Sequence, residues 1–256
     1  MVTALSAAAR RRGLDIAVGL TLQDYNEMVG PELALPDLGR RNTLAVLIGS
    51  TKTIWPPFLA ALRAAERRGH LEGEADHDGP LNIYVVRSTE ELVAEALPPQ
   101  TRYELRYAHE VGSGRLVAMQ KLAHLCGAAF FHPSCGLNVH TLYGPWHAYR
   151  SLIIVDMDGV ETAGPPPNPS SDEAVAEAEA ALAAALAVTV DPTATNTQQE
   201  LVGKYRAAWR QWQKVRQALS PPAFDEWVYP DEHDEYHFSH SPAVLQRLVD
   251  GEASSL

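Results

Sequence analysis

The chain has 256 residues and a mass of 27.9 kDa, with 21 Lys and Arg against 32 Asp and Glu and a formal net charge of −11. That balance excludes a nucleic-acid partner held through a broad basic surface. Only two cysteines occur, Cys126 and Cys135, and no apolar run reaches the roughly eighteen residues of a membrane span. The expectation is a cytoplasmic protein in a reducing compartment, with no membrane partner.

The length suits one sizeable domain, taken as residues 1–256. A helix over Val2 to Arg12 leads to an extended Ile16–Val18 and a helical Leu22–Val29. Leu44-Ala-Val-Leu-Ile48 is a continuous apolar run of strand length, which predicts a central strand buried on both faces. Gly49-Ser-Thr-Lys-Thr53 lacks the first glycine of a phosphate loop, so that motif is rejected. Pro56 and Pro57 start a helix Phe58–Arg68 that Gly69 stops, and His70–Gly79 reads as a loop. A strand Asn82–Val86 and a short helix capped by Ser88 with Glu91 are expected before Pro98, followed by an edge strand over Tyr103–Val111. Gly112-Ser-Gly114 falls short of a dinucleotide fingerprint because Val117 stands at the third glycine position.

The unusual chemistry is concentrated between Gly112 and Ser151. From Arg115, Leu116, Met119, Leu122, Ala123, Cys126 and Phe130 recur at helical spacing, and a second stripe holds Val117, Gln120, His124 and Ala128. Gly127-Ala-Ala129 ends this helix with minimal bulk, ahead of a strand Phe130–His132. The small residues either let another element pack closely or leave a shallow shelf for a ligand; His124 is either a satisfied core histidine or a ligand contact. Pro133 and Gly136 turn the chain into strands Leu137–Tyr143 and His147–Asp156. A Pro-rich crossing at Gly164–Pro169 precedes an Ala-rich outer helix capped by Ser170 with Glu173 and running to about Ala187. Asn196–Leu219 reads as one long helix with Leu201, Tyr205, Ala208, Trp209, Trp212 and Val215 on one face. Its other face carries Lys204, Arg206, Arg210, Lys214 and Arg216. An aromatic segment and a last helix Pro242–Val249 close the chain. The class is α/β or α+β, with a mixed, largely antiparallel sheet.

Six motifs in this order resemble the cobalamin-processing family of the cblC type, MMACHC. They are Leu44-Ala-Val-Leu-Ile-Gly-Ser-Thr51 after Tyr25-Asn-Glu, Ala123-His-Leu-Cys-Gly-Ala-Ala-Phe-Phe131, and Val139-His-x-x-Tyr-Gly-x-Trp-x-Ala-Tyr-Arg150. Then come Pro165-Pro-Pro, Trp209-Arg-x-Trp212 and Tyr236-His-Phe-Ser-His-Ser-Pro242. The resemblance implies an α+β, modified nitroreductase-like fold that binds cobalamin with its lower base detached and removes the upper axial ligand. Flavin (FMN or FAD) with NADPH as electron source would drive decyanation, and glutathione would drive dealkylation. His124 is the first residue the resemblance carries over to the corrin. Val117, Ala118, Met119, Gln120, Phe131, His132, Asn138 and Tyr149 match pocket positions, and Trp146 supplies a wall. Arg150 and Arg216 match the arginines associated with glutathione. The chain departs from the family pattern at Asn138, Phe130, Phe131 and Ala108, and in the Ala-rich helix at 171–187. A transient homodimer and a downstream cobalamin-trafficking protein are the implied partners.

Two alternatives stand beside this: a flavin nitroreductase-like oxidoreductase, and a chaperone that binds cobalamin without turning it over. His233, His237 and His240, or His124 and Cys126 with His132 and Cys135, offer donor atoms, but neither spacing matches a metal motif and no metal ligand is assigned.

Overall fold

The computed structural model describes residues 1–66, 79–112, 114–190 and 197–251. In chain order its elements are α1 (Val2–Arg10), β1 (Ile16–Thr21), α2 (Leu22–Met28), β2 (Thr43–Ser50), α3 (Trp55–Glu66), α4 (Gly79–Ala96), β3 (Tyr103–Tyr107) and α5 (Met119–Leu125). They continue with β4 (Phe130–His132), β5 (Leu137–Val139), β6 (Ala148–Asp158), α6 (Asp172–Thr189), α7 (Gln198–Ala207), α8 (Trp209–Ala218), α9 (Asp231–Ser239) and α10 (Pro242–Val249). Two compact units result: Met1–Phe131 with His147–Pro167, and His132–Trp146 with Asn168–Leu256.

The first unit is built on a four-stranded sheet in the order β1-β2-β6-β3, and all three pairings are antiparallel. Thr43–Ser50 is buried at every position, as the apolar run requires of a strand between two others. Leu152–Val155 of β6 is buried likewise. On one face Leu20, Ala45, Leu47, Leu152 and Ile154 meet Leu22 and Tyr25 of α2 and Met119, Leu122, Ala123 and Cys126 of α5. β3 is one of the two edge strands, as its alternation predicts.

Two predictions in this unit are corrected. Asn82–Val86 is no strand: it belongs to the 18-residue helix α4, and Ser88 lies within that helix instead of capping a new one. Leu81, Val85, Ser88, Thr89, Leu92 and Val93 are its buried residues, a helical stripe that overrides the strand preference of Ile83-Tyr-Val-Val86. The helix expected from Arg115 begins at Met119, and Leu116 is exposed instead of facing the core. The proposed stop at Gly69, nearly all of the 70–79 loop and the helix start at Asn196 lie outside the described residues.

In the second unit, α6 and α8 pack together around Trp146, Ala178, Ala185, Val215, Leu219, Phe224 and Tyr229. Ala178 and Ala185 have no exposed surface, so the Ala-rich helix shows a narrow inner stripe and an otherwise open outer face. Its cap is Ser171, not Ser170; the Ser171 hydroxyl accepts the Ala174 N–H. The long helix is two helices, because Ala208 leaves helical geometry at φ −90°, ψ 20°. Arg216 is also moved: it is buried, not part of the solvated basic face. Gly144 has φ +56°, and an added Cβ would stand 2.4 Å from the Phe224 ring, so the turn before Trp146 requires glycine.

Candidate functional site

The predicted site residues divide between the units. The first holds Val117, Ala118, Met119, Gln120, His124, Phe131, Tyr149 and Arg150; the second holds His132, Asn138, Trp146 and Arg216.

The segment ahead of α5 is a tight bend. The Met119 N–H donates to the Val117 carbonyl at 2.8 Å, and the Ala118 N–H donates to the Tyr25 hydroxyl at 3.0 Å. Val117 and Met119 are buried, Ala118 is half-buried and Gln120 is exposed, so the bend presents alternate residues outward. One turn on, His124 stands edge-on to Phe130 with ring centroids 5.2 Å apart. Its Nδ1 accepts the Phe131 N–H at 3.2 Å. With the lone pair at Nδ1 so used, the neutral ring carries its proton on Nε2, and His124 offers an N–H donor at its outer edge.

Gly127 terminates this helix at φ +79°, and an added Cβ would lie 3.1 Å from Ala163 Cβ and 3.1 Å from the Gly164 carbonyl oxygen. Ala128 and Ala129 are buried. At Gly127, therefore, the small residue allows close packing.

Tyr149 and Arg150 owe their direction to a bulge. Ile48 is opposite Ser151, but Gly49 is opposite Tyr149, which leaves Arg150 as the extra residue on β6. Gly49 permits this: a Cβ there would approach the Ala148 carbonyl oxygen to 2.9 Å. The Arg150 Nε donates to Ser50 Oγ at 2.9 Å, holding the guanidinium beside the strand end. The Tyr149 hydroxyl and His147 Nε2 are 3.0 Å apart. Burial, with Cys126 nearby adding to it, raises the Tyr149 pKa and keeps the phenol protonated; burial also pushes the Cys126 thiol up to about 11. Neither group is a nucleophile at neutral pH.

In the second unit, His132 and Asn138 are buried, and His132 Nε2 lies 3.2 Å from Ser170 Oγ. Burial lowers the His132 pKa, opposed by a hydrogen bond with Asn168. Trp146 is 1% exposed, and its indole N–H donates to Ser220, so it is a core residue of this unit. The Arg216 guanidinium carbon lies 5.6 Å from the Trp146 ring, 5.2 Å from Tyr229 and 5.1 Å from Phe238. Its Nη2 donates to His237 Nε2 at 2.9 Å. Three ring faces, one imidazole and the coulombic attraction of the buried Asp234 carboxylate partly offset the cost of burying this cation, whose Nε and Nη1 make no hydrogen bond among the described residues. Among the described residues no group of three or more His, Cys, Asp or Glu is arranged to hold a metal.

Sequence reasoning missed the supporting residues: Tyr25, which holds Ala118; Ser50, which holds Arg150; and His147, which meets Tyr149. Tyr25 and Ser50 fall within quoted motifs, but the partner of Ser50 is set by the sheet register and that of Tyr25 by the packing of α2 and α5 on one sheet face.

These elements define an α+β protein with an antiparallel sheet flanked by helices. The architecture is similar to the crystal structure of a C. elegans B12-trafficking protein CblC, a human MMACHC homologue, with TM-score 0.66, 17% identity, and coverage of 97% of this chain and 95% of that one. The resemblance read from the six motifs is thus borne out in the fold. Protein-family models and curated protein sequences give no match. Among the described residues no helix is long and apolar enough to cross a membrane.

Proposed function

We propose that the protein binds cobalamin base-off and removes its upper axial ligand, by flavin-dependent reductive decyanation and, with glutathione, by dealkylation. The observation that carries the reading is that motif order and fold arrive independently at one kind of protein: the chain shares nearly its whole length in fold with a B12-trafficking CblC. The side chains suit the task. His124 offers a fixed Nε2–H donor to a corrin amide carbonyl, Gln120 adds an exposed amide, and the Val117–Gln120 bend presents backbone at a helix start.

The step needs no protein nucleophile. One electron entering cobalt(III) with bound cyanide gives cobalt(II) and free cyanide, and losing the lower base makes cobalt easier to reduce because one donor is gone. A reduced flavin, when bound, would supply that electron, with NADPH as the reductant that restores it. In dealkylation the glutathione thiolate would take the alkyl group, leaving cobalt(I), and Arg150, as the resemblance implies, would receive a glutathione carboxylate. Arg216, clasped by three rings and His237, contributes a buried charge to the second unit.

Mixing the purified protein with cyanocobalamin tests the reading. Base-off binding moves the visible absorption to shorter wavelength, and flavin with NADPH at low oxygen then yields the cob(II)alamin spectrum. Binding without reduction identifies a chaperone. Flavin turnover that ignores the vitamin identifies a nitroreductase-like enzyme, and an unchanged spectrum and melting point refute cobalamin as the ligand.

A further inference from the structure

The helix α2 works as a bracket. Two of its side chains grip the backbone of the connection that leads to β2, and a third reaches the segment ahead of α5. Gln23 Nε2 donates to the Arg40 carbonyl at 3.0 Å while its Oε1 accepts the Thr43 N–H at 2.9 Å. Asn26 makes two bonds to Leu35, donating to its carbonyl and accepting its N–H, each at 2.9 Å. Tyr25, with no exposed surface, accepts the Ala118 N–H at 3.0 Å. The first two grips fix α2 against the connection that follows it, which makes the phenol oxygen a rigid anchor.

What it anchors is the bend ahead of α5. Ala118 occupies the cap position of that helix at φ −75°, ψ 66°, and no side chain caps it. A helix start without a side-chain cap leaves its first N–H groups to find other partners. Tyr25 supplies one from across the core, and its ring packs in the same cluster as Val117, Met119 and Leu122. The bend therefore takes its shape from a residue about ninety positions earlier in the chain.

We propose that Tyr25 is a positioning residue: its buried hydroxyl fixes the Ala118 amide and thereby holds the Val117–Gln120 bend in the shape that receives the corrin. This rests on the cobalamin reading above. Tyr25 touches no ligand and acts through Ala118.

The test uses the full chain with Tyr25→Phe, which keeps the ring and removes the acceptor. Ala118→Pro removes the donor instead, at a φ proline accepts. Two readouts are taken: amide exchange across residues 117–125 in the free protein, and titration with cyanocobalamin followed by visible absorption. Loss of one hydrogen bond corresponds to roughly tenfold faster exchange at Ala118 in Tyr25→Phe, and in either variant to roughly five- to tenfold weaker binding. The double variant binds no more weakly than the worse single one, because both changes remove the same bond. Val46→Ala, a core truncation in β2, separates positioning from stability: it lowers the melting point and leaves the Kd within roughly twofold.

Unchanged exchange at Ala118 in Tyr25→Phe overturns the anchoring. Faster exchange with an unchanged Kd overturns the link to the ligand. If the parent chain does not change the vitamin's spectrum, the ligand half falls with the cobalamin reading, and exchange alone still decides whether Tyr25 sets the bend.

Discussion

Replacing Gly127 with alanine separates the two meanings of the small residues that end α5. Gly127 sits at φ +79°, and a Cβ would meet Ala163 Cβ and the Gly164 carbonyl oxygen at 3.1 Å each. Holding alanine in the left-handed region costs about 1–2 kcal/mol. Two contacts a few tenths of an ångström too close add about 1 kcal/mol, since backbone forms part of the obstacle. Reduced freedom of the unfolded chain returns about 0.4–1 kcal/mol. The net loss is about 2 kcal/mol, which lowers the melting temperature by roughly 4–8 °C for a chain of this size. Differential scanning fluorimetry and urea denaturation measure it. Well below the melting point, Gly127→Ala should retain most of its cyanocobalamin affinity, because the missing side chain points at residues 163 and 164. A variant that melts with the parent but loses the vitamin would refute the packing argument and give the glycine to the ligand.

Further outcomes follow from the site and its charges. His124→Ala removes the acceptor of the Phe131 N–H and the outer Nε2–H donor together, so cyanocobalamin binding should weaken roughly tenfold or more by titration. Arg150→Ala should slow glutathione-driven dealkylation while cobalamin affinity holds; a parental rate removes Arg150 from the thiol site. His132 has its pKa lowered by burial, so the unfolded chain binds the proton more readily and stability falls as pH drops below its ordinary value of 6.5. In His132→Asn, urea midpoints across about pH 5.5 to 7.5, one unit either side of the ordinary histidine pKa, should show a shallower slope. Asp156 has its pKa lowered, chiefly by hydrogen bonds from Arg40 and then Arg102, and so adds stability at neutral pH that is lost as pH falls through the acid range. Asp156→Asn should flatten acid unfolding below about pH 4 and blunt its salt dependence.

The elements that sequence alone revealed are those whose burial matches their composition. Thr43–Ser50 and Leu152–Val155 are apolar because both sheet faces are covered. The α4 helix was hidden because two positions of its inner stripe are Ser88 and Thr89, and Thr89 bonds Ser151 across the core at 3.2 Å. Polar residues on a buried face erase the helical period and leave Ile83-Tyr-Val-Val86 to imitate a strand. The set of candidates was legible where a motif names the residue, as at His124, Tyr149 and Arg150. It was illegible where geometry names it. Nothing local announces that Gly49 faces a one-residue bulge, or that Ser50 and Tyr25 each hold a group distant in sequence.

Arg216 shows which level of pattern prevails when two conflict. Its charge argues for solvent, and a helix drawn from Asn196 to Leu219 assigns it to the basic face. Its position argues inward: Trp212, Val215, Arg216 and Leu219 repeat at intervals of three and four, and Val215, Arg216 and Leu219 are buried. Position prevails because the partners are rings, an imidazole and the nearby Asp234 carboxylate, not water. A cation–ring contact in a desolvated setting is worth up to about 2 kcal/mol, and the opposite charge of Asp234 adds to it. A charged residue on an inward helical stripe, in a chain whose neighbouring segment carries Tyr229, Tyr236 and Phe238, is therefore better read from its spacing than from its charge.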